Sequence, residues 1–335
     1  MNHPIRRCLG FAILLLVPAL GLALATAAEA ADDAPPPLRI LLTNDDGFDS
    51  AGIEALRAAL TAAGHHVTVV APATQQSGKG GSINTGAFDF TPGGGTMLLM
   101  NRGNRVWSLE GSPADSVTTG LDVVMADDPP DLIVSGLNEG QNIGRPGTNA
   151  SGTEGAALRG LFRGIPAIAG SMEVDFSEAS EGFPSTEISY APAADFMTRL
   201  IARLQEAYGK DLLPRRTGML NVNFPVPFDV IRGVRITSLA EGSDIELPHF
   251  DPSQGFPAFG IPPIPSFPPC AEAVDPGDFC FSTVGFGLSP TPDPVRGSDL
   301  DALREDFITI TPIDGDMTAG SSLGALRGQL RPLAP

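Results

Sequence analysis

Two adjacent carboxylates, Asp45 and Asp46, close the apolar run Ile40-Leu41-Leu42-Thr43-Asn44 and are followed by Gly47. A strand that breaks into paired acids and a glycine, with a helical pattern after it, sets those acids beyond the carboxyl end of the strand. Open α/β sheets bind ligands there. Two acids at such a place point to a divalent cation held by hard oxygen ligands, with an anionic substrate shared between cation and protein. The same residues also read as an Asx turn in which a side chain merely bonds the next backbone amides.

Three further loops carry residues of matching chemistry. Gln75-Gln76-Ser77-Gly78-Lys79-Gly80-Gly81-Ser82 offers a hydroxyl and an ammonium between glycines. Ser135-Gly136-Leu137-Asn138-Glu139-Gly140-Gln141-Asn142 offers amide and carboxylate oxygens. Asn149-Ala150-Ser151-Gly152-Thr153 enters a helix, and exposed amides beside small residues at a helix start make an anion site. Each has a structural alternative: Ser77 and Ser151 as caps, Asn138 and Asn142 at left-handed turn positions, Lys79 as a solvated lysine. The argument for function is convergence, since in a parallel sheet all four loops reach one edge. Other chemistries lack their residues. His65 and His66 stand at the opposite end of a strand and His249 in a Pro-rich stretch, which leaves no Ser-His-Asp arrangement and no His-rich zinc site. Neither a P-loop spacing at Ser77 nor a Gly-x-Gly-x-x-Gly after the first strand is present.

The elements that must position these loops read as α/β. Ile53, Leu56, Ala59 and Leu60 mark one face of a helix over Ser50–Ala63 that Gly64 closes, and Val67–Ala71 reads as a buried strand ending at Pro72. Strand, helix and strand at this spacing form a βαβ unit with a right-handed crossover, hence a parallel sheet. The alternation continues with strands at Val106–Leu109, Asp131–Ser135, Ile165–Gly170, Met219–Asn223 and Asp306–Thr311. Helices are expected from Gly111 to about Ala126, over Thr153–Arg163, and from Ala191 to about Ala207. Residues from Pro248 to Pro294, crowded with Pro, Gly and Phe, show no periodicity and read as an elaborated loop or subdomain insertion.

Composition bounds the partners. The 335 residues are 42% hydrophobic and 18% charged, enough for a sizeable core, and the net charge is −18. Such acidity argues against a nucleic-acid polymer or an anionic membrane surface and leaves a small phosphate ligand open. Arg6-Arg7, an apolar run from Leu9 to Ala25 and Ala28-Glu29-Ala30 compose a cleavable export signal over 1–30, so a periplasmic or secreted protein with no stable membrane anchor is expected. Cleavage leaves Cys270 and Cys280, which should pair in an oxidising compartment and stabilise the fold by about 3 kcal/mol in the chain-entropy model.

With these residues in view, the chain resembles the SurE-like (survival protein E) nucleotidases. The resemblance rests on Ile40-Leu-Leu-Thr-Asn-Asp-Asp-Gly47, Val70-Ala-Pro72 with Ser77-Gly78, Gly111-Ser-Pro-Ala-Asp115, Asp131-Leu-Ile-Val-Ser-Gly-Leu-Asn138, Ser151-Gly-Thr153 and Asn221-Val-Asn-Phe-Pro225. It runs from Leu38 to about Asp314 and is weakest between Pro248 and Pro294. It implies a Rossmann-like, doubly wound and mostly parallel α/β core over 38–240. An elaborated C-terminal region over 241–335 would be used for homodimers or homotetramers. The implied activity is phosphomonoester hydrolysis of nucleoside 5′- and 3′-monophosphates with Mg²⁺ or Mn²⁺. Matched by position, the metal ligands fall on Asp45, Asp46, Ser77 and Asn138, the two aspartates being also the catalytic pair. The phosphate contacts fall on Asn142, Ser151, Gly152 and Thr153. The chain departs from the family pattern at Ala150, usually aromatic, at Ser112, usually threonine, and at Glu154, usually small and apolar. Glu154 is thereby expected beside the phosphate, where it would repel it or supply a proton. A broad acid phosphatase on non-nucleotide esters and a non-catalytic receptor for a phosphorylated ligand are the alternatives.

Overall fold

A computed structural model of the chain describes residues 35–84, 96–246, 249–254 and 295–316, with short pieces between 262 and 288. The expected export segment lies outside the described residues. The chain divides into two units, Met1–Pro36 and Pro37–Pro335, and all the described strands and helices belong to the second.

Strand β1 (Arg39–Thr43), helix α1 (Ala51–Ala62) and strand β2 (His66–Pro72) form the expected βαβ unit, with Ile40 opposite Val67 in a parallel ladder. Strand β3 (Leu99–Gly103) turns back antiparallel onto β4 (Val106–Leu109), which runs parallel to β2. Helix α2 (Pro113–Thr119) opens with Pro113 in its first turn and a reciprocal capping box: Asp115 N–H donates to Ser112 Oγ, and Ser112 N–H to Asp115 Oδ2 at 2.9 Å. The helix widens into one π turn over Gly120–Val124. Then come β5 (Leu132–Glu139), α3 (Gly144–Ala150), α4 (Gly152–Phe162), β6 (Ala167–Met172), α5 (Pro184–Tyr208), β7 (Met219–Phe224) and β8 (Gly233–Ile236). Strands β9 (Ile245–Glu246), β10 (His249–Phe250), β11 (Thr283–Val284) and β12 (Gly287–Leu288) make two antiparallel pairs, β9 with β12 and β10 with β11. Helix α6 (Asp299–Arg304) leads into β13 (Phe307–Ile313).

The nine-stranded sheet has the order β3-β4-β2-β1-β5-β6-β7-β13-β8. Six strands run parallel, while β13 is antiparallel to β7 and parallel to β8, so the C-terminal strand closes into the main sheet. Alternation on the strands assigns the two faces. Ile40 and Leu42 of β1 pack with Ile53, Leu56 and Leu60 of α1 and Met197 and Ile201 of α5. Leu41 points the other way, to Val117 of α2 and Ala156 and Ala157 of α4. The α2/α4 face turns polar toward the strand ends: Thr43 follows Leu41, Ser135 follows Ile133, Ser171 follows Ala169, and Asn221 and Asn223 follow Met219, all buried.

Several elements differ from the sequence expectation. Strand β5 does not stop at Gly136 but continues through a register shift between Ser135 and Asn138. Gly136 takes φ +131°, and a Cβ there would lie 2.3 Å from the Gly170 carbonyl oxygen, so the irregularity is specific to glycine. Helix α3 occupies the expected long loop, although Gly-Arg-Pro-Gly-Thr-Asn-Ala is a poor helical sequence. Its buried Gly144 is held by the Asp299 carboxylate, which accepts the Gly144 N–H at 2.8 Å. Helix α5 begins at Pro184, seven residues before the expected start, and carries Pro192 within it. Strands β3 and β8 and helix α6 were not expected from the sequence pattern. Cys280 is disulfide-bonded, and Cys270, its expected partner, lies outside the described residues. Among the described residues no helix is long and apolar enough to cross a membrane.

Candidate active site

The turn after β1 is fixed by Asn44, whose Nδ2 donates to the Gly47 carbonyl and to Ser50 Oγ, each at 2.8 Å. This leaves Asp45 turned inward, 2% exposed, against the start of α4. Thr153 Oγ1 donates to Asp45 Oδ1, and the Gly152 and Thr153 amides also bond the carboxylate. A Cβ on Gly152 would sit 2.8 Å from both Asp45 Cβ and Oδ2, so only glycine lets the helix end meet the acid. Burial pushes the Asp45 carboxyl up, and these bonds to Thr153 and Gly152 oppose it. Asp46 is pushed to about 8, first by burial and then by the neighbouring Asp45 charge. Its Oδ1 accepts from Gln75 Nε2 at 3.2 Å and its Oδ2 from the Glu139 amide at 3.3 Å.

The Ser77 loop is held from both sides. Gln75 Oε1 accepts the Ser77 N–H, so one amide side chain ties Asp46 to the Ser77 turn. Gly80 N–H donates to the Ala150 carbonyl at 3.0 Å, and a Cβ on Gly155 of α4 would lie 2.2 Å from the Gly80 carbonyl oxygen. On β5, Asn138 Nδ2 donates to the Gly140 carbonyl at 2.6 Å, which leaves Oδ1 buried with no hydrogen-bond partner. Asn142 is embedded in a polar network. Its N–H donates to Asn223 Oδ1 at 2.7 Å, its Nδ2 to Ser171 Oγ at 2.9 Å, and its carbonyl accepts from Asn221 Nδ2 at 2.7 Å. Ser151 caps α4 by accepting the Glu154 N–H at 3.1 Å.

Asp45, Ser77, Asn138, Asn142 and Ser151 line one pocket of about 400 Å³. Asp46, Gly152 and Thr153 are not among its lining residues. Asp46 is tied to Gln75 and the Glu139 amide, and the other two engage Asp45 from the helix side. Lys79 is exposed and does not line it. Glu154, expected beside the ligand, does not line it either. The side chain is fully buried, neither carboxyl oxygen has a hydrogen-bond partner, and burial followed by the charges of Asp299 and Asp45 raises its pKa well above the ordinary range. Asp299, whose charge bears on Glu154, comes from far along the chain and accepts the Gly144 N–H of α3, a neighbour that no local pattern foretells. The sequence reading also missed Gln75, Ser171, Asn221 and Asn223. For the last two a signal existed, since Asn-Val-Asn-Phe alternates on a strand and puts both amides on one face.

The donor set suits a hard divalent cation. Two adjacent, largely buried carboxylates with raised pKa lack a counter-charge, and the unpaired Asn138 Oδ1 and the exposed Ser77 hydroxyl add neutral oxygens. Among the described residues no three His, Cys, Asp or Glu side chains cluster for a metal, so a soft or nitrogen-rich site is not offered.

A doubly wound α/β sheet with an acid pair at the end of its first strand and a polar pocket beyond its carboxyl edge defines a class of ligand-binding α/β proteins. Comparison makes the assignment particular. The profile of the survival protein SurE family matches residues 40–245, and the chain belongs to that family. A 5′-nucleotidase SurE of Carboxydothermus hydrogenoformans is 40% identical over 302 residues, 88% of this chain and 97% of the relative. Another, from Rhizorhabdus wittichii, is 31% identical over 290 residues, 86% and 98% of the two chains. The crystal structure of the SurE protein from Aquifex aeolicus superposes with a TM-score of 0.62 at 26% identity, covering 87% of this chain and 99% of that one.

Proposed function

We propose that this protein is a divalent-cation-dependent phosphomonoesterase that hydrolyses nucleoside 5′-monophosphates, and 3′-monophosphates as well, to nucleoside and phosphate. The observation that carries the reading is the Asp45–Asp46 pair, uncompensated in charge, of which Asp45 lines a pocket together with Asn138 and its unpaired oxygen. The names of the relatives, 5′-nucleotidase SurE, supply the substrate class.

In this reading Asp45, Asp46, Ser77 and Asn138 hold Mg²⁺ or Mn²⁺. When bound, the cation neutralises phosphoryl charge and makes water a better nucleophile. The rest is the work of this chain. Thr153 and the α4 amides fix the Asp45 carboxyl in place and oppose the upward push of burial on it, and the Gln75 amide fixes Asp46 relative to the Ser77 turn. Asn142, braced by Asn221 and Asn223, and Ser151 line the same pocket and would meet the phosphate there. The Ser151 oxygen already accepts from Glu154 N–H, which leaves its own proton to donate to a phosphoryl oxygen. Preorganised donors of this kind stabilise charge without reorganising during the reaction. Export under the N-terminal segment and assembly into dimers or tetramers belong to the same proposal. N-terminal sequencing of the protein from the culture fluid or periplasm, and its mass by light scattering, check them.

The decisive experiment measures phosphate release from all nucleoside 5′- and 3′-monophosphates and from sugar phosphates with Mg²⁺ or Mn²⁺, for the wild type and for Asp45→Asn and Asp46→Asn. Turnover lost in both variants is expected. Wild-type rates in both would sink the assignment, and turnover confined to sugar phosphates would move it to the broad phosphatase.

A further inference from the structure

Helix α3 is a wall shared by two cavities. Pro146, Gly147 and Ala150 face the pocket at Asp45, whereas Arg145 and Thr148 line a second cavity of about 900 Å³, and Asn149 belongs to both. The second cavity is lined with hydroxyls. Thr237 and Thr311 share a hydrogen bond of 2.7 Å, and Thr148, 8% exposed, has its Oγ1 buried with no partner. Arg145, Arg215 and Arg216 are exposed around it, and none of these guanidinium groups has a hydrogen-bond or ion-pair partner among the described residues. Three unpaired arginines at one cavity stand out in a chain with 21 Lys and Arg against 39 Asp and Glu. Asp314 and Asp316 line it too, but they and Arg216 are shared with a neighbouring pocket at Leu161 and Gly164, so the acidic end is the one away from Arg145 and Thr148.

We propose that this cavity is a second anion site, distinct from the pocket at Asp45, that takes a small phosphate ester. Guanidinium groups match phosphate oxygens with paired, charge-assisted hydrogen bonds, and the unpaired Thr148 hydroxyl adds a neutral donor at the cavity wall. Leu239 and Ile313 give the organic part of the ester an apolar surface, and the volume lies within the range of small-molecule sites. The inference stands apart from the catalytic reading, because it needs neither the cation nor turnover.

Calorimetric titration of the full chain with inorganic phosphate, in chelator and at low ionic strength, tests it. Saturable binding is expected in the wild type and in Asp45→Asn. It should weaken about tenfold or more in Arg145→Ala and in the double variant Arg215→Ala/Arg216→Ala. A non-hydrolysable phosphonate analogue of AMP should bind more tightly than phosphate and lose affinity in the same variants. Thr148→Val, close in volume to the wild type, reads the same cavity should an arginine variant fail to fold. No saturable binding to the wild type, or equal binding by the wild type and all these variants, overturns the proposal. So does loss of binding in Asp45→Asn alone, which would return the phosphate to the first pocket. Failure to bind phosphate together with a changed oligomer mass in the arginine variants would make the cavity an interface between copies instead.

Discussion

Replacing Glu154 with methionine should stabilise the protein. The wild-type carboxyl is fully buried with both oxygens unpaired, and burying a polar group without a partner costs about 1–3 kcal/mol on mutational scales. Methionine keeps the unbranched shape and the helical propensity and removes that cost. The gain should also grow with pH. The folded-state pKa of Glu154 is raised well above its ordinary 4.5, so the stability it contributes is fully present below the unfolded value and is lost as pH rises toward the folded one. The slope is at most about 1.4 kcal/mol per pH unit, over the range in which the folded carboxyl keeps its proton and the unfolded one has lost it. Urea unfolding of the chelated protein, followed by the fluorescence of its single tryptophan, Trp107, at pH 4.5 and pH 7 measures both parts. A variant less stable than the wild type, or a difference that does not change with pH, would refute the reasoning and show that the carboxyl has a partner.

Three other outcomes are expected at the site. Because Asp46 is held to about 8 without a cation, Mn²⁺ must displace a proton there, so affinity measured by titration should rise with pH up to about 8 and level off above; a flat profile from pH 6 to 9 counts against Asp46 as a ligand. Gly152→Ala places a methyl 2.8 Å from the Asp45 side chain and should destabilise by about 1–3 kcal/mol while weakening Mn²⁺ binding, whereas unchanged affinity would mean that α4 does not fix Asp45. Asn223→Val leaves the buried Asn142 N–H without an acceptor and should cost about 1–3 kcal/mol in urea, with the turnover number falling more than KM rises; a neutral variant would show the network to be dispensable.

The buried parallel strands were legible because each is an apolar run between turn residues, and the four loops could be placed on one edge from that alternation. What escaped has physical causes. Strands β3 and β8 lie at the sheet edges, and Met100, Val234 and Ile236 on them are exposed, so they lack the hydrophobic signature of a central strand. Helix α3 is imposed by tertiary contacts on a sequence with two glycines and a proline. The acid pair, Ser77, Asn138, Asn142 and Ser151 could be named in advance as chemistry-bearing residues. The direction of each side chain could not, which is why Thr153 reads as a phosphate contact in sequence and as a partner of Asp45 in the structure.

The contacts of Gly80, Gly152 and Gly155 have a further consequence for how the pocket can change. On the side of α4 and the Ser77 loop, backbone meets backbone or carboxylate so closely that any added carbon collides. Pro146, Ala150 and Ile245 line the same pocket with side chains of their own, and Ala150 is half-buried there. Libraries that enlarge residues on the first side should yield inactive proteins, while those at positions 150 and 245 should yield active ones with shifted preference for the leaving group. The glycine contacts thus close one part of the pocket to mutation, and new specificities are to be sought at its side-chain-bearing positions, away from the acids.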